Sequence, residues 1–548
     1  MNLNSSTTRI AMLCTVLATG PAAAQAEHAG HADGEHFGRV HFQISCSDAA
    51  QQQFDRGVAM LHSFFYPETV KAFSAIAEAE PSCAMAYWGV AISQRPNPLV
   101  QPIAKGLLQA GWEAIQKARA ASPPTQRERD WIEALSVYFE SYETLDQKTR
   151  TAKYEAAMAK LHDRYATDAE AAIFYALALN EAVDLTDKSY ARQLKAAAIL
   201  ERLAPKLPDH PGIVHLIIHS YDYAPIAAKG LPAARRYAAL APSAPHALHM
   251  PSHIFSTLGM WHDAIQSDLA SDACAKQYAI ASAPQLAAKP AANPARYHSL
   301  DFLTNAHLQL AQDRRARAIV NERNSVAELS ADSRYSAHTA FAAIPVRYAI
   351  ERGAWSEAAQ LSVPRTPFAQ AEAITWFGRA LGASRSADLD GARHDVDELV
   401  RLQAALVAAP DSYWAEQVAI QVEAAQAWIA FGERRVDAAI VLMRSAADRE
   451  DRTEKHVAME NRLAPMRELL GELLLEAGKP AEAQREFALS LESKPNRFRS
   501  LAGAGRAAML AGHRAQARSY YRQLLALARD ADSERASLVL AKEALAER

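Results

Sequence analysis

Two short stretches of the chain each carry histidines at spacings that suit metal binding. PHALHMPSH contains His246, His249 and His253, and PGIVHLIIH contains His215 and His219. Pro211, His215 and His219 recur 34 residues later as Pro245, His249 and His253. Because imidazoles at i and i+4 lie on one face of a helix, such pairs can chelate one ion. The spacing therefore predicts a histidine site shared by successive helices.

The site needs helices that bring these faces together. The turn LGMWHDAI places one helix at about 245–257, on which 100° per residue sets the three histidines within about 60° of one another. Pro251 predicts a kink, with His249 on the bend. A further turn, QLAQDRRARA, places another helix near 297–309.

The 34-residue offset then places His215 beside His249 and His219 beside His253. We expect these four histidines to bind one transition metal, Zn, Cu or Fe. The residues expected around that ion, as ligands or as partners that orient the rings, are Asp222, His246, His298 and Asp301.

Two other interpretations of the cluster remain open. The histidines would supply hydrogen bonds and pH sensitivity to a groove that binds a peptide, a partner helix or a small ligand. Alternatively they are structural hydrogen-bonding groups. No phosphate-binding loop, nucleophile elbow or zinc-protease motif occurs in the chain, so the sequence assigns no catalysis.

The carboxyl-terminal part of the chain repeats with a period of 34 residues. Small and aromatic residues recur in register at Gly471, Gly478, Ala483 and Phe487, and again at Gly505, Gly512, Ala517 and Tyr521. Each unit reads as two amphipathic helices joined at a Gly turn. The pattern resembles the tetratricopeptide repeat (TPR), as found in secreted bacterial TPR proteins.

The resemblance covers most of residues 48–535. It implies an all-α, right-handed solenoid of helical hairpins whose first helices line a concave, ligand-binding surface. The histidines fall on such first helices. The chain then divides into five parts: a signal peptide (1–26), a flexible His-rich segment (27–45), amino-terminal hairpins (46–209), hairpins carrying the site (210–320) and carboxyl-terminal repeats (321–548).

The first residues have the composition of a secretory signal. A positive start ends at Arg9, an apolar run follows, and Ala24-Gln25-Ala26 provides the small residues of a cleavage site. We expect cleavage near Ala26 and a periplasmic or secreted protein without an integral membrane segment. The new amino terminus would carry four histidines suited to capturing metal: His28, His31, His36 and His41.

The net charge and the cysteines further limit the kinds of partner and of covalent link that the sequence predicts. A net charge of −3, from 59 basic and 62 acidic residues, gives no global field to recruit nucleic acid or an anionic membrane. Export favours disulfides, and Cys46 and Cys83 flank the first predicted hairpin, so a bond between them is a candidate clip. Arg497 and Arg499 are expected at the surface, between two repeat units.

Overall fold

The computed structural model describes residues 35–100, 102–408, 412–460 and 462–546. Over these residues the chain is helical with no β-strand, as the composition predicts. Only 21 glycines in 548 residues leave long stretches of good helix formers uninterrupted. The signal-peptide prediction for 1–26, and the histidines at 28 and 31, lie outside the described residues.

Eight helices form the amino-terminal part, most of them pairing with the next in sequence as antiparallel hairpins. The amino-terminal helices are α1 (Asp48–His62), α2 (Tyr66–Ala79), α3 (Ala84–Ser93), α4 (Lys105–Ala120), α5 (Gln126–Phe139), α6 (Gln147–Arg164), α7 (Ala169–Glu181) and α8 (Ala191–Leu203).

The middle of the chain is less regular, because one helix is split at a proline and another is extended. Its helices are α9 (Pro211–Tyr221), α10 (Leu231–Leu240), α11 (Pro245–His249), α12 (Pro251–Thr257), α13 (Trp261–Ser282), α14 (Pro284–Ala287), α15 (Tyr297–Gln309) and α16 (Asp313–Asn324), with 3₁₀ turns at Ala227–Gly230, Pro290–Ala292 and Pro294–Arg296.

Regular hairpins return in the carboxyl-terminal part. They are built from α17 (Tyr335–Glu351), α18 (Trp355–Ala359), α19 (Ala369–Arg385), α20 (Leu389–Val407), α21 (Ser412–Gly432), α22 (Val436–Glu450), α23 (Met466–Glu476), α24 (Pro480–Ser493), α25 (Phe498–Leu510), α26 (Arg514–Leu527) and α27 (Ala536–Ala546).

The repeated glycines are explained by helix packing. A Cβ added at Gly471 would lie 2.9 Å from the ring of Phe487, and one at Gly505 would lie 2.5 Å from the ring of Tyr521. The first helix of each hairpin therefore leaves room for an aromatic side chain of the second. Gly478 adopts φ +72°, the left-handed conformation that a tight helix reversal needs. The chain is thus an α-solenoid of TPR-like hairpins.

One hydrophobic core runs without interruption from Phe37 to Tyr348, and a second overlaps it from Tyr335 onward. The divisions drawn at 209/210 and 320/321 therefore mark positions along one array. No helix among the described residues is long and apolar enough to cross a bilayer.

The prediction of a flexible segment at 27–45 is wrong for residues 35–45. Phe37 and Phe42 are buried, and the amide of Arg39 donates to the carbonyl of Asp209 at 2.9 Å. Phe42 packs on Phe54 of α1 and on Trp131 of α5, so apolar contacts hold this stretch against the first hairpins. The sequence interpretation rested on the polar histidines of this stretch, whereas the burial of Phe37 and Phe42 orders it in the structure.

The structure joins Cys46 and Cys83 by a disulfide with Cα atoms 5.5 Å apart. Its position at the start of α1 and the start of α3 closes the first hairpin into a loop. The bond therefore constrains the first hairpin of the described array.

Changing both cysteines to alanine is expected to lower the free energy of unfolding by about 2–4 kcal/mol, because the disulfide restricts the unfolded chain. Urea denaturation with and without a reductant measures this. Reductant should shift the parent to the variant's midpoint and leave the variant unchanged. Equal midpoints for the oxidised parent and the variant would contradict the prediction.

Candidate metal site

Four helices bring six histidines to one place in the structure. His215 and His219 come from α9, His246 and His249 from α11, His253 from α12, and His298 from α15. α15 spans Tyr297–Gln309, the range predicted from the sequence. The chain breaks between α11 and α12 at Pro251, so His249 lies at the bend as expected.

The first group of three, called triad A, consists of His215, His219 and His246. Nε2 of His215 lies 3.0 Å from Nε2 of His219 and 3.2 Å from Nε2 of His246. Nδ1 of His215 donates to the carbonyl oxygen of His62 at 2.6 Å. Because a neutral imidazole carries one N–H, Nε2 of His215 presents its lone pair to the other two rings.

The second group, triad B, consists of His249, His253 and His298. Nε2 of His249 lies 3.1 Å from Nε2 of His253. Nδ1 of His298 is buried and has no hydrogen-bond partner among the described residues. Such an orphaned ring nitrogen needs a ligand, a water molecule or an ion.

Two carboxylates orient the rings of triad B. Nδ1 of His253 donates to Asp222 at 2.8 Å, and Nδ1 of His249 lies 2.6 Å from Oδ1 of Asp268. The carboxylate–histidine arrangement is the one that surrounds metal-binding histidines, because it fixes the ring and makes Nε2 more basic. With both Nδ1 atoms protonated, two Nε2 lone pairs face each other, which a cation between them stabilises.

The nitrogen separations suit a common ion. Two nitrogens at about 2.0–2.1 Å from one metal are about 2.9 Å apart at a right angle and about 3.3 Å apart at the tetrahedral angle. The three measured Nε2–Nε2 distances, 3.0, 3.1 and 3.2 Å, fall within that range. The pairs His215–His219 and His215–His246 in triad A and the pair His249–His253 in triad B therefore have spacings that one transition metal accepts.

Burial keeps the rings neutral, the form in which imidazole binds metal. Removal from water lowers the pKa of His215 and of His249 to about 3. The pKa values of the other four histidines also fall well below 6.5, first through burial and then through neighbouring histidines. Burial raises the pKa of Asp268.

A phenylalanine packs on each triad. The ring centroid of Phe64 lies 4.5 Å from that of His215, and the ring centroid of Phe302 lies 4.7 Å from those of His249 and His253. Phe64 has φ +52° in the turn after α1, a conformation that bulky residues rarely adopt. Strain of this kind persists where the surroundings impose it, often at functional sites.

Asp301 is not near the imidazole nitrogens in the way the sequence suggested. Its carboxylate forms a two-point ion pair with the buried guanidinium of Arg347, at 2.7 and 3.2 Å. A carboxylate that accepts two charge-assisted hydrogen bonds from one arginine is occupied by that arginine and does not orient an imidazole. Asp222, in contrast, contacts His253 and the ammonium of Lys455, which lies 2.7 Å away, so it orients a ring.

The prediction of one ion held by His215, His219, His249 and His253 is also wrong in its grouping. His246 contacts His215, with ring centroids 5.0 Å apart, and takes the place expected for His249. The offset of 34 residues assumed two straight, equivalent helices. Because α11 ends before Pro251, its first turn approaches α9 and the partners change.

A third group, His62, Glu170 and His210, is held by direct hydrogen bonds. Nε2 of each histidine lies 2.8 Å from one oxygen of Glu170. The carboxylate therefore fixes the end of α1, whose last carbonyl anchors His215. The arrangement positions triad A.

The amino-terminal histidines within the described residues lie elsewhere. Nδ1 of His36 lies 3.0 Å from the carbonyl oxygen of Leu240, and His41 pairs with Asp55 at 3.0 Å. Neither belongs to a group of three possible ligands. The metal-capturing role predicted for this segment therefore has no support from His36 or His41.

A loop covers the inner surface where an open groove was expected. Residues 451–460, here called the crossing loop, follow α22 and reach the amino-terminal hairpins. The amide of Glu454 donates to Leu185 at 2.7 Å, and Lys455 reaches Asp222 beside triad B. An extended peptide at the histidines would have to displace this loop.

Sequence reasoning missed several residues of the site. Asp268, Phe64 and Phe302 are helix or turn residues of ordinary type, and only the packing of α13, α1 and α15 shows their role. Lys455 lies 233 residues from its partner. One available signal was the run of polar residues at Ser267, Asp268, Ser271 and Asp272, which a solvent-facing helix stripe would also produce.

Comparison with known proteins does not assign the chain to a family. No protein-family model matches the chain, and no curated protein matches its sequence. Among solved structures, the human IFIT1 dimer with PPP-AAAA is 12% identical with a TM-score of 0.33, over 81% of this chain and 90% of that one. Yeast Tom70 is 10% identical with a TM-score of 0.32, over 91% and 96%. TM-scores of this size do not establish a common fold.

Proposed function

We propose that this chain is an exported TPR-type solenoid that binds a transition metal through its buried histidines. One observation carries the proposal: six imidazoles from four helices converge in two groups of three whose possible ligand atoms lie within 4.8 Å of one another, and three of the Nε2 pairs are 3.0, 3.1 and 3.2 Å apart. Lone pairs at this spacing repel unless a proton or a cation lies between them. Carboxylates and a carbonyl that fix Nδ1 favour metal as the occupant.

The donor set limits the ion. Every candidate ligand is an imidazole nitrogen, with no thiolate and no carboxylate in either triad. Imidazole suits Zn, Cu and Fe, whereas Mg and Ca prefer oxygen ligands. The proposed cofactor is therefore one of these three transition metals.

Three protein ligands leave a coordination position for water or substrate, as in catalytic rather than structural zinc sites. An ion held by a triad would supply Lewis acidity or a metal-bound hydroxide for hydrolysis, or, if it is Cu or Fe, a redox-active centre for an oxidation. Residues 1–26 have the composition of an export signal, so we propose that this chemistry takes place in the periplasm or outside the cell. The proposal thus includes a metal-dependent enzyme of unassigned substrate.

Elemental mass spectrometry of protein exported by its host and purified without a His tag tests the proposal. We expect near-stoichiometric transition metal in the parent and none in a variant with Gln at all six triad positions. The matched control changes two exposed histidines, His394 and His513, and should retain the metal. Metal absent from the parent, and not taken up when Zn, Cu and Fe are added, would reject the proposal.

A further inference from the structure

We infer that the two triads form one dinuclear copper centre, in which two ions share a small bridging ligand and react with dioxygen. The inference rests on the proposed function, and it assigns the number of ions, their identity and the chemical class of the oxidant. It follows from the separation of the triads, the charges around them and the apolar rings that enclose them.

One ion cannot hold all six histidines. Two nitrogens bound to one metal are at most about 4.2 Å apart, which is twice the metal–nitrogen distance. Within each triad the ligand atoms lie within 4.8 Å of one another, and the six histidines separate into two such groups. Two ions, each with three nitrogens, are therefore the natural occupancy.

The triads face each other closely. The ring centroids of His219 and His253 are 6.0 Å apart, and those of His246 and His249 are 6.2 Å apart. No protein carboxylate links the two groups as a bridging ligand, since Asp222 and Asp268 contact Nδ1 atoms on the outer side of the rings. A small exogenous ligand is left to span the ions.

The buried charge favours monovalent ions. Asp222 supplies negative charge beside triad B, and Lys455 offsets it at 2.7 Å, while burial raises the pKa of Asp268 and so limits the charge that this carboxyl contributes. Two monovalent ions come much closer to balance with these groups than two divalent ions do. Since uncompensated charge in an apolar site is costly, Cu(I) with three neutral imidazoles fits better than Zn(II).

The same charges explain the ligand. Oxidation to two Cu(II) ions adds positive charge that the protein does not balance, so an anion between the ions becomes necessary. Dioxygen meets this need because it accepts one electron from each Cu(I). The two electrons convert dioxygen to a peroxide dianion that stays between the two Cu(II) ions, so atoms, electrons and charge balance in a single turnover.

The surroundings suit a reaction of a small apolar molecule. Phe64 packs on triad A with its ring 5.3 Å from His246, and Phe302 packs on triad B with its ring 5.2 Å from His298. The ring of Tyr237 stacks on His215 at 5.2 Å. These aromatic contacts surround the imidazoles with apolar surface, which favours a small apolar reactant such as dioxygen.

Copper titration of the full-length mature chain tests the number of ions. Under nitrogen with Cu(I), the parent should bind two ions, His246→Gln one, His298→Gln one, and the double variant none. His246 and His298 are the more exposed member of each triad, so these changes disturb packing least. Exposed His394→Gln is the control and should still bind two ions.

Admission of dioxygen tests the coupling of the ions. The parent should consume one dioxygen for each pair of ions and then show little electron paramagnetic resonance signal, because two bridged Cu(II) spins cancel. Each single variant should show the full signal of one isolated Cu(II). Two ions with independent full signals in the parent, or one ion only, would overturn the inference.

The outcomes also separate the two proposals. Binding of zinc or iron but not copper would reject the dinuclear copper centre and keep the metal-binding function. Failure of every metal would reject both. A folded state confirmed by circular dichroism for each variant ensures that loss of copper reports the ligands.

Discussion

Asp222→Asn is expected to weaken metal binding by about 10- to 100-fold, the usual effect of removing the charged partner of a metal-binding histidine. Asp222 accepts from His253 at 2.8 Å and from Thr257 at 3.0 Å, so its charge both orients the ring and makes Nε2 a better donor. Competition with a chelator of known affinity measures the change. Asp530→Asn, which alters an exposed histidine–aspartate pair, is the matched control.

The same substitution should destabilise the fold, because it leaves the ammonium of Lys455 buried without its carboxylate. Breaking one side of a buried ion pair costs about 3–5 kcal/mol. The double variant Asp222→Asn/Lys455→Met removes that penalty and should recover stability while metal affinity stays low. Recovery of both together, or unchanged affinity in the single variant, would contradict the role assigned to Asp222.

Arg497→Met is expected to lower the free energy of unfolding by about 3–5 kcal/mol, the cost of breaking one side of a buried ion pair. The guanidinium is fully buried and pairs with Glu468 at 2.9 Å and with Glu351. Burial alone would lower the pKa of Arg497, but these carboxylates raise it. Removing the arginine takes away the closest cation of both carboxylates and leaves Glu468 with Arg499, whose Nε lies 3.7 Å away.

Urea denaturation compares Arg497→Met with Arg401→Met, whose exposed guanidinium pairs with Glu372 and Glu398 and should be nearly neutral. Adding Glu351→Gln to Arg497→Met should restore part of the loss. A change in the Arg497 variant as small as that in the control would refute the structural role of this ion-pair network.

The hairpins were predictable from the sequence because their determinants are local. Gly471 and Gly505 mark positions where an aromatic ring of the second helix meets the first, and Pro251 marks the break between α11 and α12. These residues act within one repeat, so a period of 34 carries enough information to place them.

Contacts between distant repeats were not predictable in the same way. Arg497 and Arg499 were expected at the surface, but both are buried among carboxylates of α17 and α23. Lys455 and Asp268 meet the site only because the crossing loop and α13 pack over it. Their partners lie on distant repeats that come together only in the folded array, so no local sequence pattern predicts these contacts.

The candidate site shows the same division. Five histidines at helical spacing pointed to α9, α11 and α12, and all five lie in the cluster. The grouping of the histidines depends on the bend at Pro251. Asp301 instead pairs with Arg347, an arginine 46 residues further along the chain. The sequence therefore identified the candidate ligand residues, whereas their grouping into two triads could be seen only in the folded structure.

Anomalous diffraction from crystals of the metal-loaded protein, measured at the absorption edge of the bound ion, tests the central claim most directly. We predict two peaks, each about 2.0–2.1 Å from three imidazole nitrogens, one among His215, His219 and His246 and the other among His249, His253 and His298. No peak within reach of either triad, or peaks only at exposed histidines such as His394 and His513, would contradict the account.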